Sequence, residues 1–342
     1  MNDEATGRGK FRILSIDGGG VRGVLPAAYL AEIEKGLPDS RQLCDCFDII
    51  AGTSTGGIIA AALSLGISAQ DVLSFYMKDA KEIFTPPNRQ GNIFAGLAKR
   101  FLGWITRCFS KQDLNTDQLF FAKYAQDPLR QKLTGVLGER ILDDARTLLL
   151  LTAVDLASGR TIVFKKPEAS NTGKYGGFAV VDAVLATTAA PTYFPAHRLS
   201  AEEVYADGGL WANNPGLVAY MEALAVRQHR IGTEGNAFGT DDITVLSINT
   251  GDAQGPDFRG PFVGYGLIWW MPRLLQVVFH AQAAGTEYFL TDLLGDRLKR
   301  VGFTLTEDMR PLDSTSHLKE MAQLGRQTAM AEAEDVLSRF VL

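Results

Sequence analysis

The chain is 342 residues long, 46% of them hydrophobic and 21% charged, which is the composition of a globular protein with ample core rather than a disordered or fibrous one. Its formal net charge of −5 argues against general nucleic-acid binding. Residues 1–10 are polar with no apolar signal region, and Cys44, Cys46 and Cys108 do not suit a disulfide framework or zinc knuckle, so a cytoplasmic, reduced chain is expected.

Residues 11–16, Phe-Arg-Ile-Leu-Ser-Ile, predict a buried first strand, and residues 25–37 carry helical periodicity. Between them lies Asp17-Gly-Gly-Gly-Val-Arg-Gly23, in which Gly18, Gly20 and Gly23 match the spacing of a dinucleotide-binding loop. A nucleotide-binding module built on this glycine-rich loop is therefore one reading. That module needs an acidic residue closing a second strand about 20 residues on, whereas Asp39 sits in the turn Leu37-Pro-Asp-Ser-Arg41. Consecutive glycine N–H groups at a helix N-terminus also form an anion-binding concavity. Beside an activated serine, that concavity becomes an oxyanion hole.

Residues 47–63 supply such a serine. They read as an apolar strand, the turn Gly52-Thr-Ser-Thr-Gly56 and a helix of small residues. In that setting Gly-x-Ser-x-Gly puts its serine, here Ser54, on an exposed sharp corner. Gly52 and Gly56 suit a bend too tight for side chains. The two glycine corners, 17–23 and 52–57, are expected at one end of one sheet, where ligands of open α/β sheets gather.

A further helix opens with the capping-box-like Ser68-x-x-Asp71 and is stopped by Pro86-Pro87. Residues 92–109 then set Phe94, Leu97, Phe101, Trp104 and Ile105 at helical spacing, with Lys99, Arg100 and Arg107 among them. This segment is either a lid packing its apolar face on the body or a surface for an anionic bilayer. A lid that opens at a membrane would be both. A helix at 116–133, strands at 148–154 and 161–164, and a small-residue helix at 180–190 follow, the last ending in Ala189-Ala-Pro-Thr-Tyr-Phe-Pro195.

A brief strand at 204–206 leads into Asp207, Gly208 and Gly209, which is either a carboxylate on an open turn or an ordinary Asp-Gly turn. Asn213-Asn-Pro215 opens a helix to residue 230, and 243–249 is a late buried strand. The apolar run 261–272, broken by Gly264, Gly266 and two prolines, is no spanning helix. It lines an acyl pocket, an interfacial surface or plain core. Residues 314–342 read as an amphipathic terminal helix. No repeat or long linker divides the chain, so one α/β domain over 1–342 is expected, with a core at 10–255, a lid-like insertion at 85–112 and a helical region at 256–342.

A serine hydroxyl is a weak nucleophile until a base takes its proton. His197, His229, His280 and His317 all read as structural, and His280, though late in the chain, lacks the strand-loop setting of a triad histidine. A carboxylate is left. Asp207 could take the proton directly if partial burial brought its pKa toward working pH.

Four blocks, Asp17 to Gly23, Gly52-Thr-Ser-Thr-Gly-Gly57, Ala189 to Pro195, and Asp207-Gly-Gly209 with Asn213-Asn-Pro215, resemble the patatin-like phospholipases in order and spacing over residues 10–255. The resemblance implies a three-layer α/β fold, a central mostly parallel sheet flanked by helices, with a lid-like amphipathic insertion. It implies Ser54 as nucleophile, Asp207 as its partner, and an oxyanion hole from the backbone of Gly18, Gly19 and Gly20 with the Thr55 amide. Asp17, Arg22, Gly23, Gly52, Gly56, Gly208 and Gly209 would support these motifs, with Arg22 bracing Asp17 rather than meeting a lipid phosphate. The implied reaction is serine acyl hydrolysis of membrane phospholipids, with no metal and no cofactor needed for catalysis. The enzyme would be cytoplasmic and peripheral to the membrane when active. Some soluble bacterial members of this size are antiphage effectors switched on by a cyclic nucleotide, so a cyclic di- or trinucleotide is an expected activator and partner. A homo-oligomer is left open.

Overall fold

A computed structural model of the chain describes residues 9–38, 41–87, 122–166, 175, 177–234, 238–251 and 267–342. Beyond Pro87, the expected lid-like insertion and the whole amphipathic segment 92–109 lie outside the described residues.

Among the described residues, eight strands form one sheet: β1 (Phe11–Ile16), β2 (Ile49–Gly52), β3 (Leu148–Asp155), β4 (Arg160–Lys165), β5 (His197–Arg198), β6 (Val204–Asp207), β7 (Ile243–Ile248) and β8 (Leu298–Val301). The run β8-β7-β1-β2-β3 is parallel throughout, and β4, β5 and β6 join antiparallel beyond it. Alternate residues of the central strands point to opposite faces, and both faces are apolar, as a parallel core requires. Leu14, Ile16, Ile50, Leu151 and Leu246 enter one cluster, while Phe11, Ile13, Ile49, Ala51 and Val245 enter a second.

The first face is covered by α1 (Val24–Glu34), α2 (Thr55–Ser64), α3 (Ala69–Ile83), α4 (Asp127–Leu137) and α5 (Val180–Thr187). The short α6 (Gly209–Ala212) precedes α7 (Gly216–Glu234), which covers the second face together with the end of α8 (Leu267–Leu294). The last helix, α9 (Leu318–Val336), packs on α1 so closely that Gly325 has room for nothing larger beside the Leu25 carbonyl and the Ala28 methyl. The three layers of the expected α/β fold are therefore present.

Some boundaries differ from expectation for physical reasons. Of the helix expected at 116–133, residues 116–121 lie outside the described residues, 122–126 are not helical, and the helix from Asp127 has Pro128 in its first turn, a position that suits proline. Just before it, the Lys123 and Tyr124 N–H groups bond the carbonyls of Thr192 and Tyr193, each at 2.8 Å. The helix that Asn213-Asn214-Pro215 opens begins at Gly216 and runs to Glu234, past the expected end at residue 230. The terminal helix ends at Val336 and passes into a single π-turn over Leu337–Val341.

Register explains how two distant turns meet. On one edge of β3, β2 pairs up to Gly52 opposite Leu151. On the same edge β6, running the other way, pairs down to Asp207 opposite Ala153. The opposite edge is occupied by β4 across residues 150–155 of β3. The two strands thus end head to head, with Thr152 of β3 between their partners.

Candidate active site

The corner after β2 is held in a conformation that an L-residue rarely adopts. Ser54 has φ 54° and ψ −122°, a strained region that persists only where surrounding contacts enforce it. Those contacts are on hand. The Ser54 N–H donates to Thr187 Oγ1 at 2.9 Å, and its carbonyl accepts the N–H groups of Gly57 and Ile58. Beside it, Thr53 Oγ1 shares a hydrogen bond with Thr152 Oγ1 at 2.7 Å and bonds the Ala212 carbonyl at 2.6 Å. A Cβ on Gly52 would collide with the Gly56 carbonyl, and one on Gly56 with the carbonyl of Ile16. The glycines of the pentapeptide are thus demanded by backbone passing backbone.

Asp207 ends β6 and is fully buried. Its Oδ1 accepts the Gly209 N–H at 2.7 Å, while Oδ2 has no hydrogen-bond partner of good geometry among the described residues. Burial pushes its carboxyl up to about 7, because a charge removed from water is disfavoured. The Ser54 hydroxyl and the Gly209 N–H pull part of that rise back. Ser54 is thus close enough to act on the carboxyl, although no well-aligned hydrogen bond joins them, as is common in ligand-free sites. Gly208 lies against Thr152, whose side chain and carbonyl leave no space for a Cβ.

The first glycine loop lies over the same corner. A Cβ on Gly18 would stand 3.2 Å from the Ser54 Cβ. Gly18 is tied down at both ends: its N–H donates to the Asn213 carbonyl at 3.0 Å, and its own carbonyl accepts Thr250 Oγ1 at 2.8 Å. Its N–H is therefore occupied, against the expectation that it would be a free donor beside Gly19 and Gly20. For those two, no hydrogen bond among the described residues engages the N–H. Gly20 has φ +59°, with the Leu312 carbonyl where a side chain would go; that carbonyl accepts the Val21 N–H at 2.7 Å. Behind the corner, buried Tyr76 shares a hydrogen bond with Thr55 Oγ1 at 2.5 Å and donates to the Thr55 carbonyl at 3.0 Å. Gly23 leaves these two side chains their space.

Asp17 is gripped by Arg300, whose Nη1 and Nη2 reach its two carboxylate oxygens at 2.9 and 2.6 Å. Arg300 also donates to Ser247 Oγ and pairs with Glu287. Burial works against the guanidinium charge, but Asp17 and Glu287 more than offset it, and its pKa sits above the ordinary value. Arg22 turns its Nε toward the Gly19 carbonyl at 3.4 Å. Arg300 was not legible beforehand, since it sits on a short strand with no motif around it.

Two cavities meet at the corner. One is narrow and apolar, about 50 Å³, and runs from Ser54 and Gly20 past Ile58, Phe75, Ile83 and Phe194. The other is a polar cleft of about 360 Å³ bounded by Asp17, Gly18, Asn213, Arg300 and Arg310. Tyr193, Phe279 and Leu312 line both. Of the histidines, His197 is buried between Gln126 (3.0 Å) and Asp182 (3.2 Å), a structural role as expected. His280 lies on the wall of the polar cleft. Among the described residues no cluster of three or more candidate metal ligands occurs, and no helix is long and apolar enough to cross a membrane.

Residues 14–220 match the family model described as patatin-like phospholipase. The chain belongs to the patatin-like phospholipase family. Among its relatives, a protein of Vibrio cholerae named "cGAMP-activated phospholipase" is 30% identical over 95% of this chain and 92% of its own length. One of the same name from Escherichia coli is 31% identical, covering 80% of this chain and 73% of that one. The solved structure of VipD from Legionella pneumophila covers 95% of this chain and 67% of that one at 11% identity, with a TM-score of 0.44. Family membership makes the chain a hydrolase of the phospholipase kind and retires the dinucleotide-module reading of the Gly18–Gly23 loop.

Proposed function

We propose that this patatin-like protein cleaves fatty-acyl esters of membrane phospholipids, with Ser54 as nucleophile and Asp207 as its base. The reading rests on one observation above all: a strained serine and a buried carboxyl with pKa about 7 face each other where two strands end head to head. Ionised Asp207 takes the Ser54 proton as Oγ attacks the ester carbonyl. The N–H groups of Gly19, Gly20 and Thr55 then receive the oxyanion, and Gly18 serves as the anchor of that loop rather than as a donor. Collapse expels the lysophospholipid alkoxide, which recovers the proton from Asp207. Water, deprotonated by the same carboxylate, releases the fatty acid from the acyl-enzyme. The first carbons of the acyl chain enter the narrow apolar pocket, which adjoins Ser54 and carries almost no polar surface.

The chain works as one domain in the cytoplasm, is peripheral to the membrane when active, and is activated by a cyclic nucleotide as an antiphage effector. The support for activation is the name that the V. cholerae and E. coli relatives share. The deciding assay is fatty-acid release from mixed phospholipid vesicles by wild type, Ser54→Ala and Asp207→Ala, with and without a panel of cyclic di- and trinucleotides. Release by the wild type alone supports the dyad, and release only with a nucleotide supports the switch. Equal release by all three proteins refutes the dyad.

A further inference from the structure

The polar cleft beside Ser54 contains three arginines, and they are not equivalent. Arg300 is engaged by Asp17 and Glu287. Arg22 directs its Nε at the Gly19 carbonyl. Arg310 has neither kind of tie: among the described residues it makes no ion pair and no side-chain hydrogen bond, and its Nε is buried without a partner. A buried guanidinium N–H with nothing to donate to is costly, and a guanidinium presents its donors in a planar fork that matches phosphate oxygens.

Arg310 is also held in place. Its own N–H bonds the Glu307 carbonyl. Two residues on, Leu312 is fastened to Val21, and Asp313 is held by Lys123 Nζ (2.5 Å) and Tyr124 OH (2.8 Å). The strap carrying the arginine is therefore tied to the glycine loop at one point and to the segment before α4 at another. The cleft's volume, about 360 Å³, lies within the range of small-ligand sites. It opens directly against Gly18, so a group bound there sits next to an ester held at Ser54.

We propose that this cleft is a phosphodiester-binding site in which Arg310 is the main contact to the phosphate oxygens. The inference rests on the hydrolase reading for its place beside the substrate, but its test does not need turnover. A phosphodiester can come from two sources, the headgroup linkage of a phospholipid or the ring of a cyclic dinucleotide. Glu307 lines the same cleft, and its charge opposes an anion there.

Binding would be measured by calorimetry in the Ser54→Ala protein, alone and with Arg310→Gln, Arg310→Lys or Glu307→Gln. The probes are a short-chain phosphatidylcholine below its aggregation point, the matching uncharged diacylglycerol, and cyclic GMP–AMP. Loss of a charge-assisted contact should weaken the phosphodiester probe about 10- to 100-fold in Arg310→Gln. Arg310→Lys should recover part of that loss, and Glu307→Gln should tighten binding. A loss confined to phosphatidylcholine assigns the site to the lipid headgroup, and one confined to cyclic GMP–AMP assigns it to the nucleotide. Affinities unchanged by both Arg310 substitutions, an equal loss for diacylglycerol, or no binding of either phosphodiester would overturn the proposal. Ser54-dependent hydrolysis with Arg310-independent binding would sink the subsite and spare the reaction; the reverse pattern would sink the reaction alone.

Discussion

Arg300 and Asp17 form a two-pronged ion pair across the ends of β8 and β1, at 2.9 and 2.6 Å, with both side chains largely withdrawn from water. Asp17 begins the glycine loop, so a residue from the far edge of the sheet fixes where that loop starts. Cutting one half of a buried pair leaves an uncompensated charge, at a cost of about 3–5 kcal/mol. Asp17→Asn and Arg300→Met should each lower stability in urea unfolding by that order and depress acyl hydrolysis. The double variant should be less damaged than the sum of the two. Strict additivity would mean that the pair is not energetically coupled.

Local motifs are legible in the sequence, and long-range pairings such as this one are not. The glycine corners, the Ser54 turn and the Asp207 turn were readable because each is a local motif whose chemistry sits within a few residues. The central strands were readable because both faces of a parallel sheet are apolar, giving continuous runs such as residues 148–154. What could not be read is what only the register supplies. Nothing local says that β6 takes over from β2 on one edge of β3, which is what sets Asp207 against Ser54. Leu298-Lys-Arg-Val301 has too few apolar residues to stand out as a strand, so Arg300 was missed with it. Residues 122–126 fall inside the stretch 116–133 that reads as helix, yet Lys123 and Tyr124 find backbone partners at Thr192 and Tyr193 instead. There, tertiary pairing overrides local preference.

The Asp207 carboxyl gives a pH dependence of defined sign. It must be ionised to accept the Ser54 proton, so kcat/KM should rise with pH through about 7, the value to which burial pushes the group. Stability should move the other way. The folded pKa lies above the unfolded value of about 3.9, so the native state binds the extra proton between those two values. Stability is then greatest at the acid end of that window, falls as pH rises toward 7, and levels off beyond it. Asp207→Asn keeps an oxygen for the Gly209 N–H and has no charge to bury. It should be inactive, yet more stable than wild type at pH 8 by a few kcal/mol in order of magnitude. Thermal melts at pH 5 and pH 8 would check this, and a gap between the two proteins that does not widen with pH would refute it.

Tyr76 supports the corner from behind. Its hydroxyl bonds both the carbonyl and the side chain of Thr55, the residue after the nucleophile. Tyr76→Phe keeps the ring and removes only these bonds, leaving a buried Thr55 hydroxyl short of a partner. The expected cost is about 1–3 kcal/mol of stability, together with a fall in kcat larger than any change in KM. If KM alone rises, Tyr76 belongs to the pocket wall rather than to the support of the turn.

The backbone of Ser54 can be tested apart from its hydroxyl. With φ 54° and ψ −122°, the residue bears strain of about 1–3 kcal/mol for any L-side chain. Ser54→Ala and Ser54→Gly both lose the hydroxyl and should both be inactive. They differ in that alanine keeps the strain while glycine relieves it. Glycine also loses more freedom on folding, worth about 0.5–1 kcal/mol in the opposite direction. Ser54→Gly should therefore melt above Ser54→Ala by the equivalent of about 1 kcal/mol. If the glycine variant melts below the alanine one, the corner is not strained.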